Sequence, residues 1–214
     1  MQLRIDPQGE VVLLSTHDQI LGGPSGQVYQ GCRFPAAEPY RRMVQDAALR
    51  VGGVLSRRGV VSRFGVDFYA GRRTGSDAWE LYALEINLRI GGTTHPFLTL
   101  QFLTDGNYNA ETGVFTTPRG EPKSFVASDH VHSPAYRAFT HTDLFDIVAR
   151  HGLHFDQSRQ KGIVFHMVNG VGEQGSLGLT AVGNTREEAE ALYNKMVEVL
   201  DAEASHAAQT ESSS

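Results

Sequence analysis

The sequence is poor in cysteine, in lysine and in long apolar runs, and each shortage narrows what the protein can do. Its single cysteine, Cys32, can form neither an internal disulfide nor a multi-thiolate zinc site. No apolar stretch reaches the ~18–20 residues of a membrane span, and the opening MQLRIDPQGE lacks the apolar segment of a secretory signal. The sequence has 19 Lys and Arg residues against 24 Asp and Glu residues, so its net charge is −5. The negative net charge and the lack of a cluster of basic residues argue against nucleic acid as a partner. We therefore expect a cytoplasmic protein that binds neither membranes nor nucleic acids.

What the sequence does contain predicts a mixed fold. The hydrophobic fraction of 40% can fill a core, and 214 residues suit one large domain or two small ones. Alternating and helical apolar patterns are interspersed, which predicts an α+β fold: an antiparallel sheet flanked by helices. Predicted helices begin at Glu38, at Phe97, at Thr142 and after the capping-box pattern Thr185-x-x-Glu188. We assign residues 1–202 to one domain and the polar residues 203–214 to a disordered tail.

Two neighbouring segments alternate between apolar and polar residues, as strands with one buried face do. Residues 60–69 are VVSRFGVDFY and residues 80–90 are ELYALEINLRI, and the stretch between them predicts the tip of an antiparallel hairpin. Alternation puts Tyr82, Leu84, Ile86 and Leu88 on the apolar face of the second strand. Directly opposed residues of an unbulged pair point the same way. The other face therefore gathers five polar side chains, Arg63, Asp67, Glu85, Asn87 and Arg89.

This polar face has two interpretations. Two carboxylates and an amide oxygen are hard ligands of the kind that Mg²⁺ takes, together with water and phosphate. An arginine beside them can hold phosphate oxygens. Alternatively, the face is solvated and its arginines pair with its carboxylates across the strands. The residue types alone leave both interpretations open.

The motif residues resemble a known superfamily. Glu85-x-Asn87-x-Arg89, with an acidic residue on the preceding strand, resembles the metal- and phosphate-binding strands of the ATP-grasp superfamily. The strings STHDQILGGPSGQ, FGVDF and EINLRIGGTTHP, in that order, are similar to a narrower group. This group contains the carboxylate–amine ligases of pheganomycin peptide-ligase type and the IQ-motif-containing-H-like ATP-grasp proteins. The resemblance extends from Leu3 to about Asp201 and implies the C-terminal, metal- and substrate-binding subdomain of an ATP-grasp enzyme.

The resemblance also implies a role for each matching residue. Asp67, Glu85 and Asn87 match the Mg²⁺ ligands, and Arg89 matches the arginine that holds the transferred phosphate. Some relatives carry a further arginine two residues before the acidic ligand; that position is glycine here, which leaves Arg63 as the candidate. The implied reaction uses ATP to convert a carboxylate to an acylphosphate, which an amine then attacks to give an amide. The expected ligands are ATP, Mg²⁺, a carboxylate donor and an amine acceptor, such as an amino acid or peptide.

Three further segments are candidates for substrate binding. The first, His17, Asp18 and Gln19, resembles the substrate-side wall of the family; the alternative is a polar strand end with an Asx-type turn. A glycine-rich stretch can let backbone amides approach an anion or can be an ordinary surface loop; its candidates are Gly22, Gly23, Ser25 and Gly26. The segment after the phosphate arginine is expected to line the pocket, unless one of its threonines caps a helix; its candidates are Gly91, Gly92, Thr93, Thr94 and His95.

The chain departs from a complete ATP-grasp enzyme in its lysines. Such an enzyme has an upstream subdomain whose lysines reach the α- and β-phosphates. The lysines here are Lys123, Lys161 and Lys195, none in a matching context, and there is no G-x-x-x-x-G-K-[ST] loop. The resemblance therefore implies half of a ligase that needs a separate ATP-binding half. The alternatives are a non-catalytic ATP-grasp-like binding or assembly module, and a metal-dependent phosphoesterase that uses the same carboxylates.

Overall fold

The computed structural model describes residues 1–211, with side chains to residue 207. The protein divides into two compact units, whereas the sequence predicts one domain. The first unit contains residues 1–18 and 34–120, and the second contains residues 19–33 and those from 121 onward. In chain order the elements are β1 (Gln2–Ile5), β2 (Val11–Ser15), β3 (Asp18–Gly22), β4 (Val28–Phe34), α1 (Glu38–Arg57), β5 (Ser62–Arg72), β6 (Trp79–Asn87), α2 (Thr94–Thr104), β7 (Asn107–Asn109), β8 (Val114–Thr116), β9 (Pro122–His132), a 3₁₀ helix (Pro134–Ala138), α3 (His141–Arg150), β10 (Gly162–His166), α4 (Gly170–Gln174), β11 (Ser176–Gly183) and α5 (Arg186–Glu211).

The first unit is built on a four-stranded antiparallel sheet in the order β2-β1-β5-β6. Helix α1 begins with a proline in its first turn, where the missing N–H costs nothing, and covers the apolar face of the sheet. The core between them is fully apolar and contains Leu3, Ile5, Val44, Ala48, Phe64 and Val66. Strand β6 is the last strand of this sheet, so among the described residues one of its edges has no neighbouring strand. The opposite face of β5 and β6 carries the polar residues singled out above.

The second unit contains a sheet in the order β10-β11-β9-β4-β3, with the long helix α5 packed on β11 and β9. Its core includes Leu144, Leu177, Leu179, Met196 and Leu200. The Lys123 side chain, on β9, is fully buried. Its ammonium donates hydrogen bonds to the Asn184 Oδ1 (2.7 Å), the Arg159 carbonyl (3.1 Å) and the Glu121 Oε2 (3.2 Å). These contacts account for a buried cation without any ligand.

Helix α5 corrects the predicted tail. It starts where the capping pattern predicts: the Glu188 N–H donates to the Thr185 Oγ1 (3.1 Å) and the Glu188 carboxylate accepts from the Asn184 N–H (2.7 Å). It continues to Glu211, so the predicted disorder is wrong for residues 203–211, while residues 212–214 lie outside the described residues. The reason is tertiary: Ala204 is buried in the core, and Glu203 pairs with His151 (2.9 Å).

The α+β class with antiparallel sheets is confirmed, in two sheets rather than one. In the described part of the chain, no helix is both long and apolar enough to cross a membrane.

Candidate functional site

The pairing of β5 with β6 brings the two predicted carboxylates directly opposite each other. Asp67 pairs with Glu85, and Gly65 pairs with Asn87. Opposed residues of an antiparallel pair share a face, so Asp67, Glu85 and Asn87 lie together. The Asn87 Nδ2 donates a hydrogen bond to the Asp67 Oδ2 at 3.2 Å. Glu85 is exposed, while Asp67 and Asn87 are half-buried.

A β-bulge interrupts this ladder next to the carboxylates. After the Asp67–Glu85 pair, Phe68 pairs with Ala83, which leaves Leu84 as the extra residue on β6. A bulge shifts the alternation of the strand that contains it. Beyond the bulge, the side chains of β6 therefore exchange faces relative to a regular strand.

The bulge overturns part of the predicted apolar face. Tyr82 pairs with Tyr69, two residues after Asp67, so both tyrosines lie on the carboxylate face, with ring centroids 6.4 Å apart. Leu81 takes the inward position and packs against the core of the first unit. Leu84 is 68% exposed beside Glu85. The prediction that Tyr82 and Leu84 face the core is thus wrong.

Two more residues of the predicted apolar face are also exposed. Ile86 and Leu88 are about half exposed, although Ile86 pairs with the fully buried Val66. The physical reason is the position of β6 at the end of the sheet. An outer strand has a neighbouring strand on one edge only, so its side chains are covered less than those of an inner strand.

The two candidate arginines are placed differently. Arg89 follows β6 directly: its N–H donates to the Asn87 carbonyl at 2.8 Å, and its side chain is exposed. Arg63 lies on the same face of β5 as Asp67 but four residues earlier, about 13 Å at the rise of an extended strand. Across β1 it is opposite Arg4. Of the two, only Arg89 is adjacent in the chain to the carboxylate and amide cluster.

The segment after Arg89 is held by a residue that the sequence analysis does not single out. The Gln2 side chain donates to the hydroxyls of Thr93 and Thr94, the latter at 2.8 Å, and accepts from the Thr94 hydroxyl at 3.0 Å. Thr93 is the N-cap residue of α2, but its side chain makes no capping hydrogen bond. Thr94 is buried, Gly91 is half-buried, and Gly92 and His95 are exposed. Apolar and polar residues alternate in the opening MQLRI, which puts Gln2 on the polar face of a strand, and this alternation is the signal that could have found it.

His17 and Asp18 make contacts within the first unit. The His17 Nε2 is 2.7 Å from the Ser15 Oγ, and its ring lies 5.4 Å from the Phe34 ring between centroids. Burial, more than the nearby amino terminus, holds the pKa of His17 well below its usual 6.5. The Asp18 carboxylate accepts hydrogen bonds from the Ala37 N–H (3.0 Å) and the Tyr40 hydroxyl (2.8 Å). Both contacts are at the start of α1, which gives Asp18 a structural role.

The other glycine-rich candidates belong to the second unit. Gln19 is exposed on β3, and Gly22 is the last residue of that strand. Gly23 and Gly26 have φ values of 74° and 68°, which favour glycine. The Gly26 N–H donates to the Gly23 carbonyl (3.0 Å), and the Ser25 Oγ accepts from the Gln27 N–H (3.3 Å). The glycines therefore make a tight turn between β3 and β4. Gln19 and the glycine-rich residues therefore belong to the second unit, whereas the carboxylates of Asp67 and Glu85 belong to the first.

The donors beside the bulge suit one kind of metal. Within residues 1–211, no group of three or more His, Cys, Asp or Glu side chains could hold a metal ion. The candidate cluster has two carboxylates, Asp67 and Glu85, and adds the amide oxygen of Asn87. Oxygen donors of this kind fit Mg²⁺, which fills its remaining positions with water and phosphate. The metal roles of these residues stay predictions.

Comparison with known proteins bears on the same region. The family described as "IQCH-like, ATP-grasp" matches residues 1–111, slightly more than half of the chain. The chain belongs to the IQCH-like ATP-grasp family. The family described as "PGM1 C-terminal domain" matches residues 143–196 of this ATP-grasp protein.

Two curated relatives are longer than this chain. The ATP-grasp chain is 30% identical over 196 residues to the L-propargylglycine–L-glutamate ligase of Streptantibioticus cattleyicolor. The matched region is 92% of this chain and 39% of the ligase. The chain is 20% identical over 210 residues to IQ motif-containing protein H of Danio rerio, which covers 96% of the chain and 20% of that protein. The chain thus spans about two fifths of the first relative and one fifth of the second.

Solved structures show the same fold. The phosphoribosylaminoimidazole carboxylase ATPase subunit of Aquifex aeolicus is similar with a TM-score of 0.55 and 12% identity, over 93% of this chain and 54% of that one. The carboxyaminoimidazole ribonucleotide synthase of Aspergillus clavatus, complexed with ATP, is similar with a TM-score of 0.53 and 14% identity. This match covers 94% of this chain and 50% of the synthase chain. At these identities the likeness shows the fold alone.

Proposed function

We propose that the chain supplies the metal- and phosphate-binding part of an ATP-dependent carboxylate–amine ligase. The observation that carries the proposal is the direct cross-strand pairing of Asp67 with Glu85, beside Asn87 and followed by Arg89. This arrangement occurs in an ATP-grasp chain that is 30% identical to a protein named as a ligase of two amino acids. The carboxylate and amine substrates, and a separate part that supplies the ATP-binding half, are parts of the same proposal.

In this proposal Asp67, Glu85 and Asn87 would hold the magnesium ion of Mg²⁺·ATP, and the ion would neutralise charge on the phosphates of the nucleotide. Arg89 neutralises the oxygens of the γ-phosphoryl group as it moves to the substrate carboxylate, giving an acylphosphate and ADP. The amine nitrogen then forms a bond to the acyl carbon, phosphate leaves and the amine loses a proton. The protein contributes position and charge rather than a covalent intermediate.

The surroundings of the carboxylates support nucleotide binding. Tyr69 and Tyr82 lie on the same face, and Leu84 projects beside Glu85. Exposed aromatic and apolar groups next to a carboxylate pair offer contact to a nucleobase while the carboxylates hold the metal. In this proposal a bound nucleobase covers Tyr69, Tyr82 and Leu84, which are exposed to solvent in the structure without a ligand.

The test is direct binding of a metal–nucleotide probe to the purified chain. Mn²⁺ replaces Mg²⁺, and ATP alone already lowers the electron paramagnetic resonance signal of the free ion. The further change when protein is titrated into Mn²⁺·ATP, relative to the same titration without protein, therefore gives the affinity. Loss of one carboxylate ligand is expected to weaken Mn²⁺·ATP binding about 10- to 100-fold in Asp67→Asn and Glu85→Gln. Glu111→Gln is the matched control, because Glu111 is an exposed carboxylate of the same unit that lies outside β5 and β6.

A second measurement tests the reaction. With the ATP-binding half of a related ligase added, ADP release should depend on both a carboxylate and an amine. Equal binding by the wild type and Glu85→Gln would overturn the metal assignment. Binding without ADP release under any substrate pair would favour the non-catalytic module, and phosphate release from a simple ester without ATP would favour the phosphoesterase.

A further inference from the structure

We propose that Gln2 is a positioning residue that fixes the loop carrying Arg89. The anchoring rests on hydrogen bonds in the first unit, and its catalytic consequence rests on the proposed function. Gln2 contacts neither carboxylate in the hydrogen bonds described above. It acts through the loop that connects β6 to α2.

The sheet register puts Gln2 on the same face as the candidate metal ligands. Gln2 pairs with Gly65 across β1 and β5, and Gly65 pairs with Asn87 across β5 and β6. The three residues form one row, so the side chains of Gln2 and Asn87 point the same way. A Cβ built on Gly65, the residue between them in this row, meets nothing closer than the Met1 carbonyl at 3.8 Å.

The amide of Gln2 is buried and fully engaged. Gln2 is 7% exposed, and both ends of its amide bond to the first residues of α2, through the hydroxyls of Thr93 and Thr94. A buried amide costs free energy unless it is hydrogen-bonded. The burial of Gln2 and the position of the start of α2 therefore depend on each other, because the same hydrogen bonds satisfy the Gln2 amide and hold the two threonines.

The loop that carries Arg89 is fixed at both ends. At one end the Arg89 N–H donates to the carbonyl of Asn87, which belongs to β6. At the other end the Thr94 N–H donates to the Gly91 carbonyl at 3.0 Å, and the Thr94 side chain is held by Gln2. Removing the Gln2 amide releases the second end only. The guanidinium would then sample more positions around the phosphate, with the metal ligands unchanged.

The anchoring is tested without any activity measurement. Gln2→Met keeps the length of the side chain and removes its hydrogen bonds, and Gln8→Met is the control at an exposed glutamine in the same unit. Hydrogen exchange is expected to rise at least about tenfold in residues 88–94 of Gln2→Met, because the loop opens locally. Exchange in β1 and β5 should stay as in the wild type. Unchanged exchange in residues 88–94 overturns the inference, whatever the protein's activity.

The catalytic consequence is tested by a double-mutant cycle in the ADP-release assay. Gln2→Met should lower kcat about 10- to 100-fold, as expected for a misplaced charged group, with the KM for ATP within about threefold of wild type. In an Arg89→Ala background the same substitution should add little, because its effect passes through Arg89. Additive losses, or a change in KM alone, overturn the positioning role. A wild type that neither binds Mn²⁺·ATP nor releases ADP overturns the proposed function instead, and the exchange experiment still decides the anchoring.

Discussion

Removing the Asp18 carboxylate is the change whose effect the structure defines best. The resemblance implies that Asp18 faces substrate, whereas in the structure its carboxylate has intramolecular partners that include the Ala37 N–H and the Tyr40 hydroxyl. Both partners are at the start of α1, the helix that covers the core of the first unit. Asp18→Ala should therefore destabilise that unit whether or not any substrate is present.

The size of the effect follows from the two hydrogen bonds. Bonds to a charged group contribute about 1.5–3 kcal/mol each when buried, and loss of a side chain that satisfies a helix start costs about 0.5–2 kcal/mol. Because Asp18 is half-buried, we expect about 2–3 kcal/mol in total for Asp18→Ala. Tyr40→Phe removes one of the two bonds and should cost about 1 kcal/mol. At about 2–4 °C per kcal/mol, Asp18→Ala should lower the Tm by about 4–12 °C.

The fluorescence of Trp79 isolates this effect. Trp79 is the single tryptophan of the sequence, and its ring lies 4.7 Å from the Tyr40 ring between centroids. Urea unfolding followed by tryptophan emission thus reports on the first unit rather than on the whole chain. An Asp18→Ala midpoint equal to that of the wild type would refute the structural role. If ADP release were lost at that unchanged midpoint, Asp18 would be a substrate contact, as the resemblance implies.

Three further predictions concern packing and pH. Gly31→Ala should lower the free energy of unfolding by about 3 kcal/mol or more, because the added Cβ would collide with a carbonyl of β9. Gly172→Ala is the control and should change stability little, because its Cβ meets open space. Equal losses of stability in thermal unfolding would contradict this reasoning. Lysine hydrogen bonding lowers the pKa of Glu188 from its usual 4.5, so its stabilising contribution is complete above that value and is lost as pH falls through the folded pKa. Glu188→Gln should therefore flatten the fall of Tm as the pH drops below 4.5; a fall as steep as that of the wild type would contradict this. His17 should stay neutral in the folded protein, so its imidazole NMR shifts should not change between pH 7.5 and 6; a titration centred near 6.5 would refute its burial.

Local patterns predicted several elements well. A proline in the first turn and helical apolar spacing predict α1 at Glu38, and the capping pattern predicts the start of α5. The same short-range patterns do not predict the full length of β9. Strand β9 runs from Pro122 to His132 because it lies between two other strands, β11 and β4. Pairing on both edges extends a strand beyond what its propensity indicates.

The glycine-rich segment shows a similar contrast. The sequence allows the glycine-rich stretch to be an anion-binding segment or an ordinary surface loop, and in the structure Gly23 and Gly26 form a turn. Gly31, however, lies inside β4, where a Cβ would collide with the Ala127 carbonyl of the neighbouring strand. Glycine in a strand often marks such a close approach of two backbones. Only the sheet order identifies which backbone approaches it.

For the candidate site, the sequence by itself determined that Glu85 and Asn87 share one face, because side chains two residues apart on a regular strand point the same way. That Asp67 lies opposite Glu85 depends on the pairing register. The sequence also determined the family resemblance, which is carried by short contiguous strings. The tertiary structure alone decided where that alternation breaks at Leu84, that β6 is the outer strand, and that Gln2 meets Thr93 and Thr94. Periodicity and capping act over a few neighbouring residues, whereas a bulge, a sheet edge and a buried amide's partners depend on segments far apart in the chain.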